Sequence, residues 1–176
     1  GKRLNSPNDV VVHSTGDIFF TDPRSRFLTD TREIEFNGVY RVDPANGSVH
    51  LLTDTFQWPN GLCFSPDETR LYINDSSRQQ ITVFDMTDAG ALKNGRVFCE
   101  LEPRFGKGAP DGMKVDVLGH LYVTGPGGVW IFDANGERLG ILQTPKGVLN
   151  LGFAETTLFL TAQSTLFRIA LVIPGI

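Results

Sequence analysis

One phrase, used three times, constrains this chain more than anything else in it. Pro7-Asn8-Asp9 leads into VVVHSTGDIFFTD, Pro59-Asn60-Gly61 into LCFSPDETRLYIND, and Pro110-Asp111-Gly112 into MKVDVLGHLYVTG. Each phrase is Pro, then Asn or Asp, then a small or polar residue. An alternating strand, a tight turn and a second strand follow. The prolines stand 52 and 51 residues apart. Self-similarity at that period, built from strands alone, points to the blades of a β-propeller. Proline locks one dihedral and biases the residue before it toward extended backbone. The side chain after each proline therefore points the same way in every blade, and Asn8, Asn60 and Asp111 converge on one axis. Two amide oxygens and a carboxylate suit a hard cation such as calcium, which takes about six to eight oxygen ligands of mixed charge. A single aspartate does not neutralise a dication, and the sequence offers no clear second carboxylate. Asn or Asp before Gly is also a common turn former that caps local backbone. Recurrence at one register in three blades weighs against that simpler reading.

The rest of the chain reads as strand, turn, strand, with no convincing period of about 3.6 residues. Strands are predicted at 10–12, 17–21, 38–42 and 49–53, then at 62–65, 71–74, 81–85 and 96–100. A third group covers 113–116, 121–124, 129–133 and 139–143, and a fourth begins with 151–153, 158–161 and 166–171. Aromatic and β-branched residues dominate these runs. Turns are marked by Asp43-Pro44-Ala45-Asn46-Gly47, Pro66-Asp67-Glu68 and Asn135-Gly136. The expected fold is all-β, an incomplete arc of three to four four-stranded blades. Two connections, 23–37 and 102–109, are long enough to shape a ligand site.

A chain of 176 residues can bury one real core. Its net charge of −4 argues against nucleic acid and anionic membrane surfaces as partners. No apolar run reaches the ~18 residues of a membrane helix. A small molecule is the partner the composition suits, and no protein partner is implied. Cys63 and Cys99 are too few for a disulfide framework, and Cys63, alternating with Leu62 and Phe64, reads as a small buried hydrophobe. Without CxxC spacing a zinc site built on thiolates is disfavoured. There is no GxSxG elbow, and Gly106-Lys107-Gly108 lacks the residues of a phosphate loop. His13, His50 and His120 show no paired ligand spacing. Trp58, before Pro59, fits either the channel mouth or packing between blades. The first phrase begins at the seventh residue, so residues 1–176 read as the C-terminal part of a propeller domain that lacks its N-terminal blades. The compartment stays open, with the cytoplasm favoured over secretion.

The segments NSPNDVV, WPNGLCFSPDETRLYIND and PDGMKVDVLGHLYVTGPGGVWIFD resemble the signature segments of the gluconolactonase family that includes senescence marker protein (regucalcin) and the luciferin-regenerating enzymes. The resemblance runs on through NLGFAETTLFLTAQSTLFRIAL. It implies a six-bladed propeller with a divalent cation in its channel, hydrolysing sugar lactones and similar esters. Residue by residue, it implies Asn60 and Asp111 as metal ligands and Asn8 as a ligand to metal or substrate. Glu33 falls near a family glutamate that contacts substrate. Asp111 is also the candidate to orient or deprotonate the attacking water. Calcium is the first expectation for the cation, with zinc, magnesium and manganese as alternatives. The family's N-terminal metal-binding glutamate has no counterpart here, so the chain alone is expected to be inactive. Two other readings stay open. A related propeller could act on other esters or phosphotriesters, and a non-catalytic propeller could serve as a binding scaffold. Calcium binding that tracks hydrolysis separates enzyme from scaffold, and a substrate panel separates the hydrolases.

Overall fold

The computed structural model describes residues 1–25 and 32–176. Among them the chain forms four antiparallel sheets, each a meander in sequence order. The first holds β1 (Val10–Val12), β2 (Ile18–Asp22), β3 (Gly38–Asp43) and β4 (Ser48–Thr53). The second holds β5 (Pro59–Phe64), β6 (Arg70–Asp75), β7 (Gln80–Met86) and β8 (Leu92–Glu100). The third holds β9 (Met113–Val115), β10 (Leu121–Gly125), β11 (Gly128–Phe132) and β12 (Arg138–Gln143). The last is three-stranded, with β13 (Asn150–Ala154), β14 (Thr157–Ala162) and β15 (Thr165–Ala170). One 3-10 turn, Pro103–Phe105, lies in the connection between the second and third sheets. Among the described residues no helix is long and apolar enough to cross a membrane.

Every predicted strand is present, and the larger differences lie at strand starts. β5 begins at Pro59 rather than at residue 62, because Pro59 already pairs with Asp75 across a register shift. β8 begins at Leu92 rather than at residue 96. Asn94 has φ +52 and the register slips opposite Val83 and Asp85, so the bulge breaks the apolar alternation that would have revealed the strand.

The core lies between blades. Phe19 and Val39 of the first blade pack with Leu62, Phe64, Leu71 and Ile73 of the second. Cys63, Ile81 and Val83 of the second pack with Met113, Leu121 and Trp130 of the third. Tyr122 and Val129 of the third pack with Leu151, Leu158 and Leu160 of the fourth. Each such aliphatic side chain contributes about 1.5–3 kcal/mol by burial. Face-to-face sheets with their inner strands adjacent (β5 beside β1, β5 beside β9, β9 beside β13) form an arc of propeller blades. At its first edge Val11 points into the interface, while Val10 and Val12 alternate to the opposite face and are exposed. At the other end the C-terminal residues fold back on β9, with Val117 N–H donating to Pro174 O at 3.1 Å.

Candidate functional site

The inner strands deliver the site, and their starts are held from below. The Asp75 carboxylate, at the end of β6, accepts the backbone N–H of Gln57 at 2.7 Å and of Trp58 at 3.2 Å. Asp22, at the end of β2, does the same for Asn5 at 2.8 Å and Ser6 at 2.6 Å. Each aspartate fixes the chain just ahead of a proline. Pairing of Val10 with Phe20, Leu62 with Ile73 and Met113 with Val123 then puts Asn8, Asn60 and Asp111 at equivalent registers.

Neighbouring blades are latched at the same level. Thr21 Oγ1 donates to Asn60 O at 2.7 Å, and Asn74 Nδ2 donates to Asp111 O at 2.5 Å. Gly61 makes the second latch possible, since a Cβ there would overlap the Asp111 carbonyl oxygen and crowd Asn74. At Gly112 a Cβ would overlap the side-chain amide of Asn150 in the fourth blade. The glycine of the second and third phrases is thus set by how closely the next blade approaches. In the fourth blade, Leu149 N–H bonds to Thr161 O as Asn8 N–H bonds to Thr21 O. The register position there belongs to Leu149, which is exposed.

Asn8, Asn60 and Asp111 line one cavity of ≈ 330 Å³, with Trp58, Ser76 and Lys107. That is the lower end of the range for small-molecule pockets. The 102–109 connection supplies Lys107, Gly108 and Ala109 to its wall. Asn60 is 8% exposed, its Nδ2 donates to Ser76 Oγ at 3.1 Å, and its Oδ1 is buried with no hydrogen-bond partner. Burial pushes the Asp111 carboxyl up to about 6, the adjacent Asn60 amide opposes the rise, and the charge of Asp9 adds to it. Asn8 is exposed, and among the described residues no hydrogen bond holds its side chain. Glu33 is not brought to this cavity. Its exposed carboxylate accepts the Arg3 backbone N–H at 2.9 Å, and part of its loop, residues 26–31, lies outside the described residues.

Two residues near the site escape sequence reasoning. Asp9 stands where the other phrases have glycine, and that departure is its only signal. Its carboxylate accepts the N–H of Leu62 at 3.2 Å and of Val10 at 2.9 Å. Ser76 joins Asn60 to the third blade by donating to Pro110 O at 2.6 Å, and nothing in the sequence marks it. The histidines lie elsewhere, with His13 beside Glu68 and His120 Nδ1 2.8 Å from Asp116. Both cysteines are unpaired and buried, and burial pushes the Cys63 thiol up to about 12. Among the described residues no three His, Cys, Asp or Glu side chains gather as a metal cluster. The donors that do gather are two amides and one carboxylate. Two amides, one with an unpartnered buried carbonyl oxygen, and a half-buried carboxylate are a donor set that fits a hard cation taking neutral and charged oxygens together.

Comparison with known proteins agrees with this architecture. Residues 1–164 match the family model described as SMP-30/Gluconolactonase/LRE-like region. The chain is 36% identical over 184 residues to the gluconolactonase of Zymomonas mobilis, covering 96% of the chain and 51% of that protein. It therefore spans about half the length of this relative. A solved gluconolactonase from Xanthomonas campestris superposes with a TM-score of 0.86 at 38% identity, over 100% of this chain and 59% of that one. A calcium-binding regucalcin from Agrobacterium tumefaciens has a TM-score of 0.77 at 21% identity, over 96% of this chain and 61% of that one. That last likeness speaks for the fold alone.

Proposed function

Since the chain belongs to the SMP-30/Gluconolactonase/LRE-like family, we propose that it forms the cation-binding part of a hydrolase that opens sugar lactones. The carrying observation is Asn60, which lines the cavity with Asp111 and Asn8 and whose Oδ1 is buried without a hydrogen-bond partner. An unpartnered buried oxygen is costly unless a ligand meets it. Asn60 and Asp111 would hold a divalent cation, calcium before zinc, magnesium or manganese, because all the donors are hard oxygens. Asn8 would complete that set or meet the substrate. When bound, the cation supplies Lewis-acid polarisation of an ester carbonyl.

The chain's own residues do the rest. Asp111, ionised above about pH 6, accepts a hydrogen bond from the attacking water and orients it. Water adds to the carbonyl carbon, and the ring C–O bond of the lactone opens to give a hydroxy acid. Asn8, exposed and unconstrained, turns its amide to the sugar hydroxyls. Trp58 and Leu149 form the apolar part of the wall, and Lys107 adds a positive charge. The agreement of the family match with gluconolactonase relatives supports lactones ahead of phosphotriesters.

The experiment is a calcium titration of the full-length protein alongside gluconolactone hydrolysis, before and after chelation. Binding and hydrolysis are expected to fall and recover together. Hydrolysis that survives chelation removes the cation from the reaction, and calcium binding without hydrolysis of any lactone leaves a binding scaffold.

A further inference from the structure

A serine hydroxyl has one proton to give and lone pairs to accept with. Ser76 Oγ lies 2.6 Å from Pro110 O and 3.1 Å from Asn60 Nδ2. A carbonyl oxygen can only accept, so the Ser76 proton is committed to Pro110. Lone pairs remain, and the part of the Asn60 amide that complements them is its NH2, which the Asp111 carboxylate draws the same way. Turned the other way, the amide would set Oδ1 against Oγ, acceptor against acceptor. Ser76 is 5% exposed and Asn60 8%, so water is not at hand to relieve that clash. The hydroxyl is itself anchored. Ser76 N–H donates to Trp58 O at 3.0 Å, and Gln79 Nε2 donates to Ser76 O at 3.2 Å. The equivalent positions after β2 and β10 are Pro23 and Pro126, which carry no hydroxyl. Neither the first nor the third blade therefore has this device.

We infer that Ser76 is a positioning residue: by giving its proton to the third blade it holds the Asn60 amide in the orientation that leaves the carbonyl oxygen, not the NH2, for a cation. The inference rests on the cation site proposed above. Loss of a partner that orients a metal ligand costs about 10–100-fold in affinity, which sets the scale of the effect.

The test is a double-mutant cycle on the full-length protein, read by calorimetric titration with calcium. With Asn60 present, Ser76→Ala is expected to weaken calcium binding about tenfold or more, and Ser76→Thr, which keeps the hydroxyl, to restore it. In Asn60→Asp both terminal atoms are oxygens and nothing needs orienting, so Ser76→Ala there is expected to cost under about threefold, the mark of a coupled pair. Equal losses in the two backgrounds would make Ser76 plain scaffolding and overturn the inference. Unchanged affinity in Ser76→Ala overturns it as well. A second readout needs no cation. In metal-free protein the Asn60 side-chain NH2 protons, followed by NMR, are expected to exchange slowly, and quickly once Ser76 is alanine. Fast exchange in the unmutated protein refutes the orientation even where Ser76→Ala does not fold. If that protein shows slow exchange but binds no calcium, the cation reading fails while the orientation stands.

Discussion

Asn8 and Asn60 are the same residue at the same register of adjacent blades, and their surroundings are opposite. Asn60 is gripped from both sides, with its carbonyl on Thr21 of the blade before and its amide on Ser76, which reaches the blade after. Asn8 is exposed, and its register rests on one backbone bond from its N–H to Thr21 O. The repeat decides where a side chain leaves the backbone, and the neighbouring blades decide how tightly it is held. A gripped amide suits a cation, whose ligands must not move. A loose one suits a substrate with several hydroxyls.

The largest expected effect tests that division directly. Asp111→Ala removes the carboxylate of the convergent set, and the loss of calcium binding and hydrolysis is expected to exceed the ~100-fold ceiling for supporting partners. Asn60→Ala should cost about 10–100-fold in calcium affinity. Asn8→Ala should leave calcium affinity within about threefold and raise KM instead, as loss of uniform substrate binding does. Titration and steady-state kinetics on the three variants decide it. Equal calcium losses for Asn8→Ala and Asn60→Ala would erase the contrast.

Stability offers a second handle at the same register. Gly61→Ala drives a Cβ into the Asp111 carbonyl, which the backbone cannot avoid, and is expected to cost about 1–3 kcal/mol in urea denaturation. Asp9→Gly takes a charged acceptor from the Val10 N–H and from the buried Leu62 N–H and should likewise cost about 1–3 kcal/mol. No loss in Asp9→Gly would show that this carboxylate does not tie the first blade to the second.

A pH titration sharpens the comparison further. Burial raises all three tyrosines, joined at Tyr40 by the charges of Asp22 and Asp54. Tyr122, in the third blade, is pushed up to about 12 by burial and by the adjacent Asp116 carboxylate. A raised phenol holds its proton more firmly in the native state, so its contribution to stability is complete below about pH 10 and is lost as pH rises through about 12. Ultraviolet titration should show Tyr122 ionising only toward pH 12 in the folded protein. An ordinary titration of Tyr122 would mean the third blade is not dry.

The smallest effect concerns the fourth blade. Leu149 is 53% exposed, so Leu149→Asn is expected to change stability by about 0.5 kcal/mol or less. It would extend the ring of amides without a Ser76 behind the new one. Calcium affinity should rise by less than about threefold, and a larger gain would show that orientation is not needed.

Three blades were legible because proline followed by Asx recurs where their inner strands enter a common axis, and apolar alternation marks the strands. The start of β8 was hidden by the bulge at Asn94, where a left-handed residue shifts the period. Leu149 was hidden because the fourth blade replaces the proline with Val148. The placement of Asn8, Asn60 and Asp111 followed from the repeat. Ser76 and Asn74 did not, because each acts on a carbonyl of the following blade, and partners 34 and 37 residues away leave no local pattern. Glu33 was placed near the substrate by resemblance in a loop whose contacts in the described residues lead to Arg3 instead.

The fit of Gly61 against the Asp111 carbonyl also bears on how such a site can change over generations. At Gly61 the inner strands meet main chain against main chain, one residue beyond Asn60, and no side-chain exchange there can change their spacing by degrees. Variation is left to the rim of the cavity, where Trp58, Lys107 and Leu149 stand. A lineage built on this junction can drift in what it accepts while keeping fixed the spacing of Asn60 and Asp111.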